Sequence, residues 1–240
     1  MRILAVDSSA LAAGAAVCED ERLVAEYTLN NGNTHSENLL PMVESILKLA
    51  KLSIGDIDLL ACTAGPGSFT GVRIGVSTIK GLAFGTGIPC VGVSTIEALA
   101  GNLAGCGGLI VPVMNARRQQ VYTALFRDAD GKAERLTEDA ALAAEDLFDL
   151  IRKTARPQEP VRFCGDGYQL IADCLPKGLQ ACTVPVQERL RWQSAYWVAR
   201  CALNAFRAGK ATTDEKLVPT YLRPSQAERN LKRSGQTEEQ

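Results

Sequence analysis

Arg2-Ile3-Leu4-Ala5-Val6-Asp7-Ser8-Ser9 opens the chain with an apolar run that stops abruptly at a carboxylate and two hydroxyls. A small, apolar stretch follows at 13–18. Residues 22–29 then alternate through Leu23, Ala25 and Tyr27, with Val24 breaking the pattern slightly. Runs of this kind read as strands, and three so close together must be joined by tight hairpins. Next, Leu39, Leu40, Val43, Ile46, Leu47 and Ala50 recur at helical spacing, with Ser36 as the expected N-cap. Pro41 is awkward in that frame, so the helix is expected either to start nearer Leu39 or to carry a kinked first turn.

A buried strand at 57–63 runs into Gly65-Pro66-Gly67-Ser68-Phe69-Thr70-Gly71 and a helix to about Gly85. Another strand is expected at 89–93, then a helix capped by Ser94 to about Ala104. Three meander strands followed by alternating units, βββαβαβα, predict a ribonuclease-H-like α/β domain: a mixed sheet with helices on its faces. The glycine-rich break at 105–108 divides the chain into a first domain, 1–105, and a second, 106–223. The second half partly repeats the order. It has strands at 109–114, 120–127 and 161–164, a hairpin turn at Asp130-Gly131, helices at 144–153 and 168–174, and a last helix from Ser194 to Gly209. Residues 224–240 are polar and of mixed charge, a flexible tail or one ordered only by a partner.

The 240 residues carry 26 Lys and Arg against 27 Asp and Glu, a net charge of −1. No global positive field is available for phosphate, which argues against a stand-alone nucleic-acid binder. Aromatic residues are only 5%, too few for base-stacking platforms. None of the eight cysteines forms a C-x-x-C pair, and the one histidine, His35, excludes a two-histidine metal site. The N-terminus does not resemble a secretion signal, and no apolar stretch is long enough to span a bilayer. A reduced, cytoplasmic protein with no membrane association is expected.

Asp7, Ser8 and Ser9 could address a metal-bound phosphate from a strand's carboxyl end, or simply form a capped turn. The 65–71 segment could present backbone N–H groups to an anion. It lacks the lysine of a Walker loop, and Thr70 stands where the third Rossmann glycine belongs. The alternative is a sharp turn that lets the helix pack close to the sheet. On that helix Gly71, Gly75, Thr78, Leu82 and Gly85 share one face, suited equally to a partner helix or to intrachain packing. His35 is expected to cap or hydrogen-bond rather than catalyse. Arg117 and Arg118 could pair with carboxylates or phosphate or form a solvated turn, and Gly165-Asp166-Gly167 is a further loop at a strand's carboxyl end.

Together these motifs resemble the TsaB (YeaZ) family. The resemblance rests on residues 3–9, His35-Ser36-Glu37 with Leu39-Leu40-Pro41, the string from Gly65 to Gly75, Lys80-Gly81-Leu82-Ala83, Ala116-Arg117-Arg118 with Val121-Tyr122, and Pro219-Thr220-Tyr221-Leu222-Arg223. It implies an α/β fold of the ASKHA type (acetate and sugar kinases, Hsc70, actin), with two ribonuclease-H-like domains and mixed sheets. It further implies an accessory, noncatalytic role in forming N6-threonylcarbamoyladenosine beside the anticodon of tRNAs that read codons beginning with A. In that family the paralogue TsaD carries the transferase site, TsaB is its dimer partner and the ATPase TsaE binds the pair. The same helix face is suited to a homodimer when TsaD is absent, and contact with tRNA is expected only through the complex. His35, Leu39, Val43, Ile46, Gly71, Arg73, Gly75, Thr78 and Leu82 are the expected interface residues. Asp7, Ser8, Ser9, Arg117 and Arg118 are the candidate contacts to a nucleotide or to the partner boundary. No catalytic residue, metal or intrinsic cofactor is expected, and ATP or ADP enters only at the level of the complex. TsaD-like proteins carry a His-x-x-x-His metal pair on the third helix, where Thr95 and Leu99 stand here. They also carry a Gly-Gly turn where this chain has Asn115-Ala116-Arg117-Arg118. Asn115 replaces the Asp of many family members. On this basis Gly75→Arg is expected to abolish TsaD binding in a folded monomer. The alternatives are a self-sufficient ASKHA-type kinase using Asp7 and, disfavoured by the missing histidine pair, a peptidase.

Overall fold

A computed structural model describes residues 1–32 and 34–223; the expected tail at 224–240 lies outside the described residues. The first sheet contains β1 (Arg2–Asp7), β2 (Ala13–Glu19), β3 (Arg22–Leu29), β4 (Leu59–Gly65) and β5 (Cys90–Ser94), in the order β3-β2-β1-β4-β5. The meander strands pair antiparallel, while β1, β4 and β5 run parallel, so the sheet is mixed as expected. Strand periodicity sorts the core: Leu4 and Val6 point to one face, Ile3 and Ala5 to the other.

Helices α1 (His35–Ala50) and α2 (Phe69–Ala83) cover the first of these faces. Helix α1 does not start near Leu39: it begins at His35 after Thr34 and passes Pro41 in its second turn, with no side-chain cap from Ser36. Packing of Leu39, Met42, Val43 and Ile46 into the core offsets the backbone bond that Pro41 cannot donate. Helix α3 (Thr95–Gly101) lies on the other side and is capped by Ser94, whose hydroxyl accepts from the Glu97 N–H.

The second sheet is built on β6 (Leu109–Asn115), flanked by β7 (Gln120–Thr123), β8 (Phe126–Ala129), β9 (Lys132–Arg135), β10 (Ala140–Ala143) and β11 (Val161–Cys164). The single strand expected at 120–127 is two strands, β7 and β8, that share one continuous register against β6. The interruption at Ala124-Leu125 falls opposite Val111 and Pro112. Pro112 has no N–H to give the ladder, and the Leu125 backbone bonds instead to residues 136 and 137. The Asp130-Gly131 hairpin turn joins β8 to β9, with both residues at positive φ, as a type I′ turn requires. Helix α4 (Ala144–Thr154) closes the sheet's core, and α5 (Tyr168–Ala172) and α6 (Lys177–Gln180) lie beyond β11.

The last helix, α7 (Ala195–Arg207), follows the second sheet in sequence but packs on the first. Its Val198, Ala199, Ala202 and Leu203 join Ile3, Ala5, Val91 and Val93 in one cluster. Residues 212–220 stay on the first sheet. Thr212 bridges Cys90, Leu217 is buried beside α2, and the Thr220 N–H reaches the Ala64 carbonyl.

Candidate ligand cleft and partner face

The turn after β1 is held shut from within. One oxygen of Asp7 accepts from the Ser9 N–H at 2.8 Å, the Ser9 hydroxyl at 2.6 Å and the Thr63 hydroxyl at 3.0 Å. Burial pushes the Asp7 carboxyl above its ordinary value of 3.8, against the pull of those donors. The Ser8 hydroxyl donates to the Gly71 carbonyl at 2.8 Å. Asp7 and Ser8 are buried and are not among the residues that line the cleft. Ser9 borders it, but its hydroxyl is committed to Asp7.

The glycines of the 65–71 string permit close backbone contact inside the chain. A Cβ on Gly67 would stand 2.5 Å from the Ser9 carbonyl oxygen. One on Gly71 would overlap the Ser8 carbonyl, and one on Gly65, whose φ is +119°, would overlap that of Thr220. The Ser68 N–H donates to the Ser9 carbonyl at 2.7 Å. The loop is packing machinery that seals the first turn, and its Ser68 and Gly71 N–H groups are taken within the chain.

A cleft of about 520 Å³ opens between the two sheets. Ser9, Leu11, Phe69 and Thr70 line one side; Asn115, Arg117, Arg118, Tyr122 and Asp166 line the other; Tyr221, Leu222 and Arg223 border it from the C-terminal segment. Arg117, Arg118 and Gln119 all have φ between +54° and +63°. This turn is held by the Asn115 side-chain oxygen, which accepts the Arg117 N–H at 2.8 Å, a bond for which an amide serves as well as a carboxylate. Asp166 accepts the Asn115 N–H at 3.1 Å, and burial raises its carboxyl. At the rim, Tyr221 stacks on Phe69 with ring centroids 4.9 Å apart. The Arg73 guanidinium lies 3.8 Å from the Phe69 ring centre and donates through Nε to the Tyr221 hydroxyl at 2.8 Å. Tyr221 and Arg223 belonged to a recognisable string, but nothing local in it indicated that they return to this cleft.

The expected interface residues divide. Leu39, Val43 and Ile46 are at most 1% exposed and belong to the chain's own core, so they cannot meet a partner. Gly71 and Gly75 are buried against the first turn, where a Gly75 Cβ would stand 2.9 Å from the Ser8 hydroxyl. Gly75→Arg would therefore drive a long side chain into the core, and the expectation of a folded variant is withdrawn. Thr78 donates to the Ile74 carbonyl, and Leu82 is half-buried against the core. His35 approaches the Ala10 carbonyl through Nε2 at 2.6 Å, matching its expected hydrogen-bonding role. Thr95 is buried with no hydrogen-bond partner for its hydroxyl, and Leu99 packs in an apolar cluster with Ile96, Ile110 and Phe126. Solvent instead meets Leu40 and Leu49 of α1 and Ser77, Gly81 and Phe84 along and after α2.

The model of the TsaD family, tRNA N6-adenosine threonylcarbamoyltransferase, matches residues 23–231. The Escherichia coli tRNA threonylcarbamoyladenosine biosynthesis protein TsaB is 32% identical over 234 residues, 96% of this chain and 98% of that relative. This chain belongs to the TsaB family. The Bacillus subtilis TsaB is 37% identical over 157 residues, 65% of this chain and 69% of the relative. Among solved structures, YeaZ from Pseudomonas aeruginosa superposes with a TM-score of 0.77 at 25% identity, covering 92% of this chain and 99% of that one. An activator of 2-hydroxyisocaproyl-CoA dehydratase from Clostridium difficile, with bound ADPNP, superposes at 0.51 and 11% identity, covering 88% and 97%. The chain therefore has an ASKHA-type fold, as the TsaB resemblance implied. Among the described residues, no helix is long and apolar enough to cross a membrane.

Proposed function

We propose that this TsaB-family chain takes part in N6-threonylcarbamoyladenosine formation on tRNA as a noncatalytic subunit. It binds TsaD as a heterodimer and, with TsaD, the ATPase TsaE, and meets tRNAs reading codons that begin with A only through that complex. The full-length likeness to a relative named for threonylcarbamoyladenosine biosynthesis carries this reading. The residues are in keeping with an accessory role. A threonine hydroxyl and a leucine packed among apolar side chains occupy the third-helix positions where the resemblance puts the metal pair of TsaD. The same setting implies a cytoplasmic protein, with ATP or ADP entering only in the complex.

The face that meets TsaD lies on the outer sides of α1 and α2, through Leu40, Leu49, Ser77, Gly81 and Phe84. Phe84 is 79% and Leu49 69% exposed, large apolar groups on two helices that share one side of the sheet. The small residues Ser77 and Gly81 allow a partner helix to approach between them. The same face would support a homodimer in the absence of TsaD. Gly81→Arg tests the assignment, because a Cβ at Gly81 meets nothing within 4 Å and the variant should fold. Co-purification with TsaD should be lost while circular dichroism stays native; retained co-purification would remove α2 from the interface. Reconstituted tRNA modification, with and without this chain, tests the function itself.

A further inference from the structure

The glycine-rich linker between the two halves has the composition of a hinge, but it is fastened along its length. Gly105, Gly107 and Gly108 all sit at positive φ, a course that suits glycine. One oxygen of Asp128, in β8, accepts the Gly105 N–H at 3.1 Å, and the other accepts the Gly107 N–H at 2.5 Å. The Gly107 carbonyl accepts from the Arg162 guanidinium of β11, and the Gly108 carbonyl accepts the Asp128 N–H at 3.0 Å. A Cβ on Gly108 would overlap the Pro160 carbonyl, so the linker lies directly against the second half.

Helix α3, which precedes the linker, is tied at both ends. At its start four residues from the two halves close a ring. The Ser94 hydroxyl donates to one oxygen of Asp139 at 2.6 Å, and the other oxygen accepts from Arg135 Nη1 at 2.7 Å. Arg135 Nη2 reaches Glu97 at 3.4 Å, and the Glu97 N–H returns to the Ser94 hydroxyl at 3.1 Å. The Arg135 guanidinium also lies 4.7 Å from the ring centre of Phe126, which is buried in one cluster with Ile96, Leu99 and Ala100 of α3 and Ile110 and Met114 of β6. At the far end the Asn102 amide donates to the carbonyls of Leu190 and Trp192, at 3.2 and 2.7 Å. That segment is itself bonded to the second half through the Gly165 N–H, which donates to the Arg191 carbonyl at 2.9 Å.

Halves joined through a small polar contact move against each other, whereas an apolar contact with a bonded rim resists such motion. We propose that α3 and the 105–108 linker form a clamp rather than a hinge, holding the two sheets at a fixed angle so that the cleft between them keeps one width. Whatever binds this chain meets a preformed surface and loses no affinity to closure of one half on the other.

Double electron–electron resonance on the full chain tests this. Spin labels are carried on p-acetylphenylalanine in place of Asn204, on α7 over the first sheet, and Lys153, on α4 over the second; both positions are exposed, and the native cysteines stay untouched. Excess unlabelled chain leaves only pairs within one molecule. One narrow distance is expected in the parent, and a broader distribution in the Asp128→Ala/Asp139→Ala double variant. Amide exchange at Gly105 and Gly107 should quicken about tenfold in Asp128→Ala. Asp128→Asn, which removes a single linker bond, takes the place of the double variant if that does not fold, with a smaller broadening expected; the parent distribution is decisive without either. A broad or two-peaked distribution in the parent, or an unchanged one in a variant with native circular dichroism, would overturn the proposal.

Discussion

The Asp7 carboxylate is 1% exposed, with three donors on one of its oxygens, and desolvation is the largest influence on its acidity. A native value raised above 3.8 means that the folded chain holds a proton the unfolded chain has already released. The stabilisation from this group is fully present below that value and is lost as pH rises through the native one. Asp7→Asn keeps a carbonyl oxygen for the same donors and removes the buried charge. The variant should therefore fold, gain stability relative to the parent between mildly acidic and neutral pH, and leave tRNA modification by the reconstituted complex unchanged. Thermal melts across that range check the first part; a kinase that used Asp7 to hold a metal nucleotide would fail the second. The contrast between Gly75 and Gly81 is also decided residue by residue. Both are glycines of helix α2, but of the two Gly75 abuts Ser8 and Gly81 meets nothing, so Gly75→Arg should unfold the chain in a urea titration where Gly81→Arg does not.

Helix α7 shows how an element takes its terminus from outside itself. Ser194 occupies the N-cap position without accepting a cap bond; its hydroxyl instead donates to the Glu26 carboxylate of β3 at 2.8 Å, and the Tyr196 N–H donates to the same oxygen at 3.0 Å. An anion at a helix N-terminus satisfies an orphan N–H and meets the positive end of the dipole. Glu26→Ala should cost about 1–2 kcal/mol, read from chemical denaturation, with the loss concentrated in protection of the first α7 amides. Ser194 was legible as the start of a helix, whereas Glu26, 168 residues earlier, carried no local sign of capping it. Helix α1 was likewise legible from its apolar spacing, but that spacing identified buried residues. Leu39, Val43 and Ile46 look like a docking face only while the sheet beneath them is unknown.

At the scale of the whole molecule, the C-terminal segment returns across the sheet that the first residues began. Leu217 is buried in the same cluster as Leu4, Cys62 and Val76, and Gly92 leaves room for it, since a Cβ there would stand 3.1 Å from a Leu217 methyl. Lys80 donates to the carbonyls of Glu215 and Leu217, and Arg223 then reaches Ala116 of the second sheet. Leu217→Ala should destabilise the chain by about 2–4 kcal/mol in urea unfolding, because it removes a buried side chain from that cluster and leaves a cavity. The order of the elements in the first half, the mixed first sheet, Ser94 as a cap and the family were all determined by the sequence itself, since periodicity, turn chemistry and motif strings act over neighbouring residues. Tertiary structure alone decided that α7 crosses to the first sheet, that the glycine string seals a turn, and that Arg117, Arg118 and Arg223 line one cleft. Those outcomes depend on which distant backbones and side chains approach within a few ångströms, a relation that no local pattern in the chain encodes.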